Sequence, residues 1–290
     1  MRYAVRWLLS FLFSIQIYLM MAVIGVAFAP LSAVSHRFAC FTVRTYCRWV
    51  RWTAGWMIGL KSEIRGPIPT DGVLIASKHQ SFFDIILIVS VIPKPKFIMK
   101  DILKWAPIVG WYAYFLDCIP VKRGRRAEAI KKMIADISNG KAHAGQLVIY
   151  PQGTRVAPGA KVPYKVGAAV LYKETGQPCV PAATNVGIFW PRRGVYRKPG
   201  LAIVEFLPSI KPRLNKEDFL TQLENMVETQ SDSLMQEAKN HEVYRKARRF
   251  IGALWSTWWG LFAKSISYFD PALCEMDCSI KVLCADDHRT

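Results

Sequence analysis

Gly72-Val73-Leu74-Ile75-Ala76-Ser77-Lys78-His79-Gln80-Ser81-Phe82-Phe83-Asp84 is the stretch on which the reading of this chain turns. Its first half is an apolar run of strand length, and its second half opens a helical pattern at Phe82. Ser81 is a good N-cap, and Asp84 then falls at the N3 position, a carboxylate variant of the capping box. His79 sits between the two elements, five positions before Asp84. On a continuous α-helix two such residues would point about 140° apart, at ~100° per residue. A strand-to-helix bend lets them meet instead. A histidine there is suited to be a general base, because its ordinary pKa lies near neutrality and a carboxylate can fix its tautomer. The plainer reading makes Asp84 a helix cap and His79 an ordinary surface side chain.

Outward from this junction the same alternation repeats. Strands are expected at residues 73–77, 97–99, 115–121, 147–150, 179–183 and 202–207, with helices at 82–91, 126–138 and 165–173. Such alternation predicts an α/β fold, a largely parallel sheet flanked by helices. Ligands of these sheets gather beyond the strands' carboxyl ends, where His79 falls. Two further apolar-to-basic junctions fall there too. Gln146-Leu147-Val148-Ile149-Tyr150 runs into Pro151-Gln152-Gly153-Thr154-Arg155, and Ile119-Pro120-Val121 runs into Lys122-Arg123-Gly124-Arg125-Arg126. Gly153 permits close backbone approach, Thr154 offers a hydroxyl, and Arg155 offers a planar fork matched to phosphate oxygens. Basic residues at strand ends are often only solvated charge. A base-carboxylate pair followed by two arginine-bearing loops is a much rarer coincidence.

In this set and order, the blocks resemble those of the glycerolipid acyltransferase family, most closely its bacterial 1-acylglycerol-3-phosphate acyltransferases. His79 and Asp84 match the family's His-x-x-x-x-Asp motif, to which the resemblance assigns general-base catalysis. Val121-Lys122-Arg123 falls where the family carries a phosphate-binding arginine, with Lys122 where an aspartate is common. Tyr150-Pro151-Gln152-Gly153-Thr154-Arg155 matches its Phe-Pro-Glu-Gly-Thr-Arg block, and Val180-Pro181-Ala182 its Val-Pro-Val strand. The likeness covers roughly residues 60–210. It implies acyl transfer from a thioester donor, acyl carrier protein or coenzyme A, to the sn-2 hydroxyl of lysophosphatidic acid. His79 and Asp84 would be catalytic, Arg123, Gly153, Thr154 and Arg155 would bind the acceptor's phosphate, and Lys122 and Gln152 would support them. It implies no cofactor and no metal. Gln152 keeps the acceptor oxygen of the family's glutamate but not its charge. If that glutamate orients the arginine by a salt bridge, Gln152 can orient Arg155 only through a neutral hydrogen bond, and if it serves as an acid or base, Gln152 cannot. A sibling acyltransferase of lyso-ornithine lipid or another lysophospholipid is the nearest alternative. A non-catalytic basic membrane-binding protein is a further one, but it leaves the ordered blocks unexplained.

Charge and hydropathy point to a lipid partner. The 290 residues carry 39 Lys+Arg against 21 Asp+Glu, a formal net charge of +18, which calls for a polyanion. With 52% hydrophobic residues and ten tryptophans, an anionic phospholipid bilayer is favoured over nucleic acid. No nucleic-acid motif is present, and the basic residues flank apolar stretches and form no continuous stripe. Residues 7–29 are apolar apart from Ser10, Ser14 and Gln16, long enough for a hydrocarbon core that needs about 20 residues. A signal peptide would have a shorter core, and a second hydrophobic segment follows directly. In that segment, residues 38–60, Arg44, Arg48 and Arg51 continue a face begun by Arg37, opposite aromatic residues, which suits a bilayer interface. The arginine-rich flank predicts a cytoplasmic catalytic region, and the resemblance to the bacterial enzymes implies a bacterial inner membrane.

The chain thus divides into anchoring helices at 1–60, a catalytic core at 61–212, C-terminal helices at 213–265 and a tail at 266–290. Asn215 is expected to cap an amphipathic helix over residues 216–245, with Phe219, Leu223, Met226, Gln230 and Leu234 inward. Ile251, Leu254, Trp255, Trp258 and Phe262 form a second apolar stripe, suited to the interface or to the protein's own core. Seven scattered cysteines, an odd number, predict a reducing compartment. The tail's Cys274, Cys278, Cys284 and His288 lack the tight spacing of a metal clip.

Overall fold

The computed structural model describes residues 2–121, 135 and 145–240. The chain falls into two units, residues 1–239 and 240–290, and the account below concerns the first with Asn240. Lys122, Arg123, nearly all of the expected helix at 126–138, the end of the C-terminal helix, the tryptophan stripe and the cysteine tail lie outside the described residues.

Three helices come first, α1 (Arg2–Ala27), α2 (Ala29–Val34) and α3 (His36–Met57). Pro30 in the first turn of α2 cannot extend α1. Ser35 starts α3, its hydroxyl accepting from the Phe38 amide at 3.3 Å. Among the described helices only Tyr3–Ala27 is long and apolar enough to cross a membrane. Two of the polar breaks in its apolar run face protein. Ser10 Oγ accepts from the Arg197 amide at 3.1 Å, and Gln16 bonds both Trp49 Nε1 and Thr53 Oγ1 at 3.0 Å. Phe13 meets Trp190 edge-on at 5.5 Å, and near the far end the Tyr112 hydroxyl donates to the Gly25 carbonyl at 3.1 Å.

The rest is the expected α/β layer. Strands β1 (Leu60–Arg65), β2 (Leu74–Ser77), β3 (Pro95–Lys100), β4 (Ile119–Val121), β5 (Gln146–Ile149), β6 (Cys179–Thr184) and β7 (Gly200–Phe206) form one sheet in the order β1-β7-β6-β2-β5-β3-β4. All neighbours are parallel except β6 and β7. Helices α4 (Phe83–Val89), α5 (Val109–Phe115), α6 (Gly167–Thr175) and α7 (Lys216–Asn240) complete the described elements, with short 3-10 turns at Asp101–Trp105 and Val186–Ile188. β2 lies at the centre and all four of its residues are buried, as a strand covered on both faces requires. Its register pairs Ala76 with Ile149 on one side and Pro181 on the other, so the loops leaving β2, β5 and β6 emerge together. α7 buries Phe219, Leu223 and Val227 against this core, with Phe219 stacked on Tyr172 at 3.9 Å. Asn215 caps α7 as expected, its side-chain oxygen accepting from the Asp218 amide at 2.8 Å.

Four details depart from the sequence reading. Leu60-Lys61-Ser62-Glu63-Ile64-Arg65 reads as polar, yet it is a sheet-edge strand, because parallel pairing with β7 leaves only Leu60 fully buried. The expected strand at 115–121 begins later. α5 runs to Phe115, Asp117 turns the chain at φ 53°, and only Ile119–Val121 joins the sheet. On α7, Met226 and Gln230 are only half-buried, and Val227 and Ser231 take the inward places. Two arginines of α3 turn toward the domain instead of lipid. Arg51 donates to Ser62 Oγ at 3.0 Å and Ser90 Oγ at 2.8 Å, and Arg48 Nε donates to the Ser90 carbonyl at 3.3 Å. They satisfy groups at β1 and the end of α4, leaving Phe41, Trp52 and Trp56 as the exposed aromatics of α3.

Candidate active site

Where β2 ends, the chain bends as the sequence requires. The Lys78 amide donates to the Ala182 carbonyl at 3.0 Å, prolonging the ladder with β6 by one bond. His79 then leaves the sheet, and α4 is regular from Phe83, one residue later than expected. The capping pattern is nonetheless present. Ser81 Oγ accepts from the Phe83 amide at 3.2 Å, and Asp84 reaches back to the Ser81 amide at 2.8 Å.

The same Asp84 oxygen, Oδ2, also accepts from the Gln80 amide at 2.7 Å and lies 3.1 Å from His79 Nδ1. Asp84 is fully buried, and the imidazole keeps 14% of its exposure. With Nδ1–H directed at the carboxylate, Nε2 is left as the lone-pair nitrogen, the tautomer a base requires. Below the ring lies Tyr150, stacked on it at 4.0 Å and 23°. The Tyr150 phenol is pushed well above its ordinary pKa by burial and, next, by the Asp84 charge, so it stays protonated. Among the described residues neither its oxygen nor Asp84 Oδ1 has a hydrogen-bond partner. Gln80 braces the bend from behind, its Oε1 accepting from the Gly187 amide at 3.0 Å.

The loop after β5 closes the other side. Gly153 takes a positive φ of 69°, and its amide donates back to the Tyr150 carbonyl at 2.9 Å. The Val156 amide donates to the His79 carbonyl at 2.7 Å, which fastens this loop to the backbone of His79. Arg155 is half-buried, and its Nη1 lies 3.4 Å from the Arg192 carbonyl, while Arg192 Nη1 lies 3.4 Å from the Arg155 carbonyl.

The sequence model of the acyltransferase family matches residues 60–185. That match spans both the β2–α4 junction and the loop after β5. The 1-acyl-sn-glycerol-3-phosphate acyltransferase of Pseudomonas aeruginosa is 28% identical over 172 residues, covering 59% of this chain and 67% of that protein. The Saccharomyces cerevisiae protein of the same name is 29% identical over 166 residues, covering 53% of each. The chain thus spans two thirds or less of these relatives' lengths. The crystal structure of the 1-acyl-sn-glycerophosphate acyltransferase PlsC from Thermotoga maritima superposes with a TM-score of 0.68, covering 81% of this chain and 99% of that one at 19% identity. That likeness is one of fold.

Within the segment that matches the family, the structure brings His79, Asp84, Gln152, Gly153, Thr154 and Arg155 together beyond the carboxyl ends of the strands, through the pairing of β2 with β5. Two expected roles change. The Gly153 amide is taken by Tyr150, leaving Thr154, exposed on the turn, as the open hydroxyl of this loop. Gln152 does not touch Arg155. It is 1% exposed and turns inward, its Nε2 lying 3.4 Å from the Val162 carbonyl and 3.5 Å from Glu228 Oε1. Sequence reasoning missed three charged neighbours. Arg192 belongs to the basic turn Pro191-Arg192-Arg193-Gly194, which no sequence pattern ties to Arg155. Lys165 sits so close that a Cβ on Gly153 would lie 2.8 Å from its Nζ. Glu228 sits on α7, in a stretch whose pattern signals only an amphipathic helix.

Proposed function

We propose that this protein is a 1-acyl-sn-glycerol-3-phosphate acyltransferase that moves a fatty acyl group from a thioester to the sn-2 hydroxyl of lysophosphatidic acid, giving phosphatidic acid. The observation that carries the reading is the His79–Asp84 pair, with Nδ1 on a buried carboxylate and Nε2 left as acceptor. Attack by an unactivated alcohol on a thioester needs a base. His79 Nε2 takes the hydroxyl proton as the oxygen bonds to the thioester carbon. The carbon–sulfur bond then breaks, and the imidazolium returns its proton to the departing thiolate. Asp84 keeps the ring oriented and stabilises the imidazolium, as the third member of a serine-hydrolase triad does, with the substrate's hydroxyl in place of serine. No acyl-enzyme is needed.

The acceptor's phosphate is held by Arg155 with Arg192 and Lys165 close by, and Arg123 joins them if the likeness to the family extends to that loop. Acyl carrier protein or coenzyme A supplies the thioester, and neither metal nor cofactor enters the reaction. The protein works at a bacterial inner membrane with this site toward the cytoplasm. α1 touches the domain from Tyr3, stacked on Tyr196 at 5.3 Å, to Gly25, which argues for a helix lying along one leaflet together with the domain. The test is the full-length protein in phospholipid vesicles with lysophosphatidic acid, lyso-ornithine lipid and both acyl donors, products identified by mass. Phosphatidic acid as the preferred product supports the reading. Preference for the phosphate-free acceptor overturns it.

A further inference from the structure

The residue before the base is a lysine with almost no contact with water. Lys78 is 1% exposed, and its ammonium is paired with Glu228 Oε2 on α7. A buried ammonium is expensive without a close counter-charge. Glu228 does more than supply one. Its other oxygen, Oε1, accepts from the Tyr164 hydroxyl at 3.0 Å and lies 3.5 Å from Gln152 Nε2. One carboxylate therefore gathers donors from the β2–α4 junction, from the loop after β5 and from the chain entering α6. It comes from outside the segment, residues 60–185, that matches the acyltransferase family.

We propose that Glu228 is a positioning residue that holds the His79 loop and the Gln152–Arg155 loop in register. Lys78 and Gln152 each lie within a few residues of a group assigned to the reaction, and Glu228 bonds both. The glutamine at 152 follows from the same arrangement. A glutamate there would bring a second carboxylate against Glu228 with one lysine between them, and like charges at that distance resist joint ionisation. The negative charge that the resembled family carries in this loop is thus borne here by the C-terminal helix. The proposal relies on the acyltransferase reading only for its activity measurement.

The experiment uses the full-length protein in phosphatidylglycerol-containing vesicles, with lysophosphatidic acid as acceptor and hydrogen exchange as a second measurement. Glu228→Gln should lower kcat/KM roughly ten- to hundredfold, as removing one member of a shared network does. Peptides covering residues 78–84 and 150–156 should exchange faster together. Adding Gln152→Glu should return the charge to the loop and recover most of the lost activity, which a merely structural helix contact would not allow. Lys78→Met with Glu228→Leu removes both charges and so avoids a buried unpaired ion. It should fold, yet still show both loops loosened and activity reduced. Normal exchange of both loops in folded Glu228→Gln, or failure of Gln152→Glu to recover activity, overturns the proposal. Loosened loops in a protein whose wild type acylates no lyso-acceptor would support the positioning role while sinking the acyltransferase reading.

Discussion

From Lys78 to Asp84 the bonds that set the base run from 2.7 to 3.1 Å and end on a fully buried carboxylate, whereas Arg155, one loop away, is half-buried and meets Arg192 only at 3.4 Å. On the proposed mechanism the difference follows from what each loop has to do. A base must hold one nitrogen in one tautomer before the substrate arrives, and reorganisation at the moment of reaction is costly. An anion-binding arginine finds its best partner in the anion itself, so strong internal bonds would compete with the substrate. The Val156–His79 bond at 2.7 Å then matters as the link that keeps the adaptable loop near the fixed one.

The largest effect should come from the fixed loop. His79→Ala should lower kcat by about 10²–10⁴, the usual worth of a general base, with little change in unfolding temperature. Asp84→Ala should be as inactive but also less stable. It strips the acceptor from the buried Gln80 and Ser81 amides, at about 1–3 kcal/mol for each donor left unpaired. Thermal unfolding beside steady-state rates separates the two variants. Equal stability of both would show that the carboxylate serves the histidine alone, and near-normal turnover of folded His79→Ala would break the mechanism.

A smaller and more selective loss is expected in the adaptable loop. Arg155→Ala should reduce kcat/KM for lysophosphatidic acid roughly ten- to hundredfold, since a charge-assisted hydrogen bond is worth about 1.5–3 kcal/mol. The constant for the thioester donor should change little, and Arg155→Lys should recover only part, because a point charge cannot reproduce the planar fork. If donor and acceptor constants worsen together and the protein melts earlier, Arg155 is a brace for the Arg192 turn. The contrast between the loops would then be one of packing alone.

The fixed loop was the legible one. Its determinants are local, since strand run, bend, Ser81 and Asp84 all lie within thirteen residues, and local geometry obliges the histidine and aspartate to meet. Most of the parallel sheet was legible for the same reason, every strand but β1 being announced by its own apolar run. What escaped depends on partners distant in sequence. β1 is a strand because β7 lies beside it, and nothing in Leu60-Lys61-Ser62-Glu63-Ile64-Arg65 says so. Arg48 and Arg51 look like lipid-facing charges until Ser62 and Ser90 are seen beneath them. Gln152 was read as a partner of Arg155, its near neighbour in sequence, whereas its amide turns to Glu228 seventy-six residues on. Helical periodicity marks the faces of α7 but cannot say which glutamate meets a buried lysine.

The smallest effect tests whether the floor beneath the base belongs to the fixed loop as packing or as chemistry. The resembled family places phenylalanine where this chain has Tyr150, so the phenol oxygen is an addition, buried and, like Asp84 Oδ1, without a partner among the described residues. Tyr150→Phe keeps the ring that stacks on His79 at 4.0 Å and removes only that oxygen. Relieving an unsatisfied buried hydroxyl should leave stability at neutral pH unchanged or raise it, by up to about 1–3 kcal/mol. Activity should stay within a few-fold of wild type. The sign of the pH effect follows from the raised phenol pKa. In the unfolded chain tyrosine ionises near pH 10, while in the fold it stays neutral, so wild type sheds stability as pH rises from about 10. The variant lacks this loss, and its advantage in unfolding temperature should grow between pH 9 and 11, on the order of one degree or more. A kcat reduced tenfold by Tyr150→Phe, with the acid limb of the rate profile displaced, would mean instead that the phenol takes part in setting His79. The fixed loop would then extend into β5, and the boundary between the two loops would have to be redrawn.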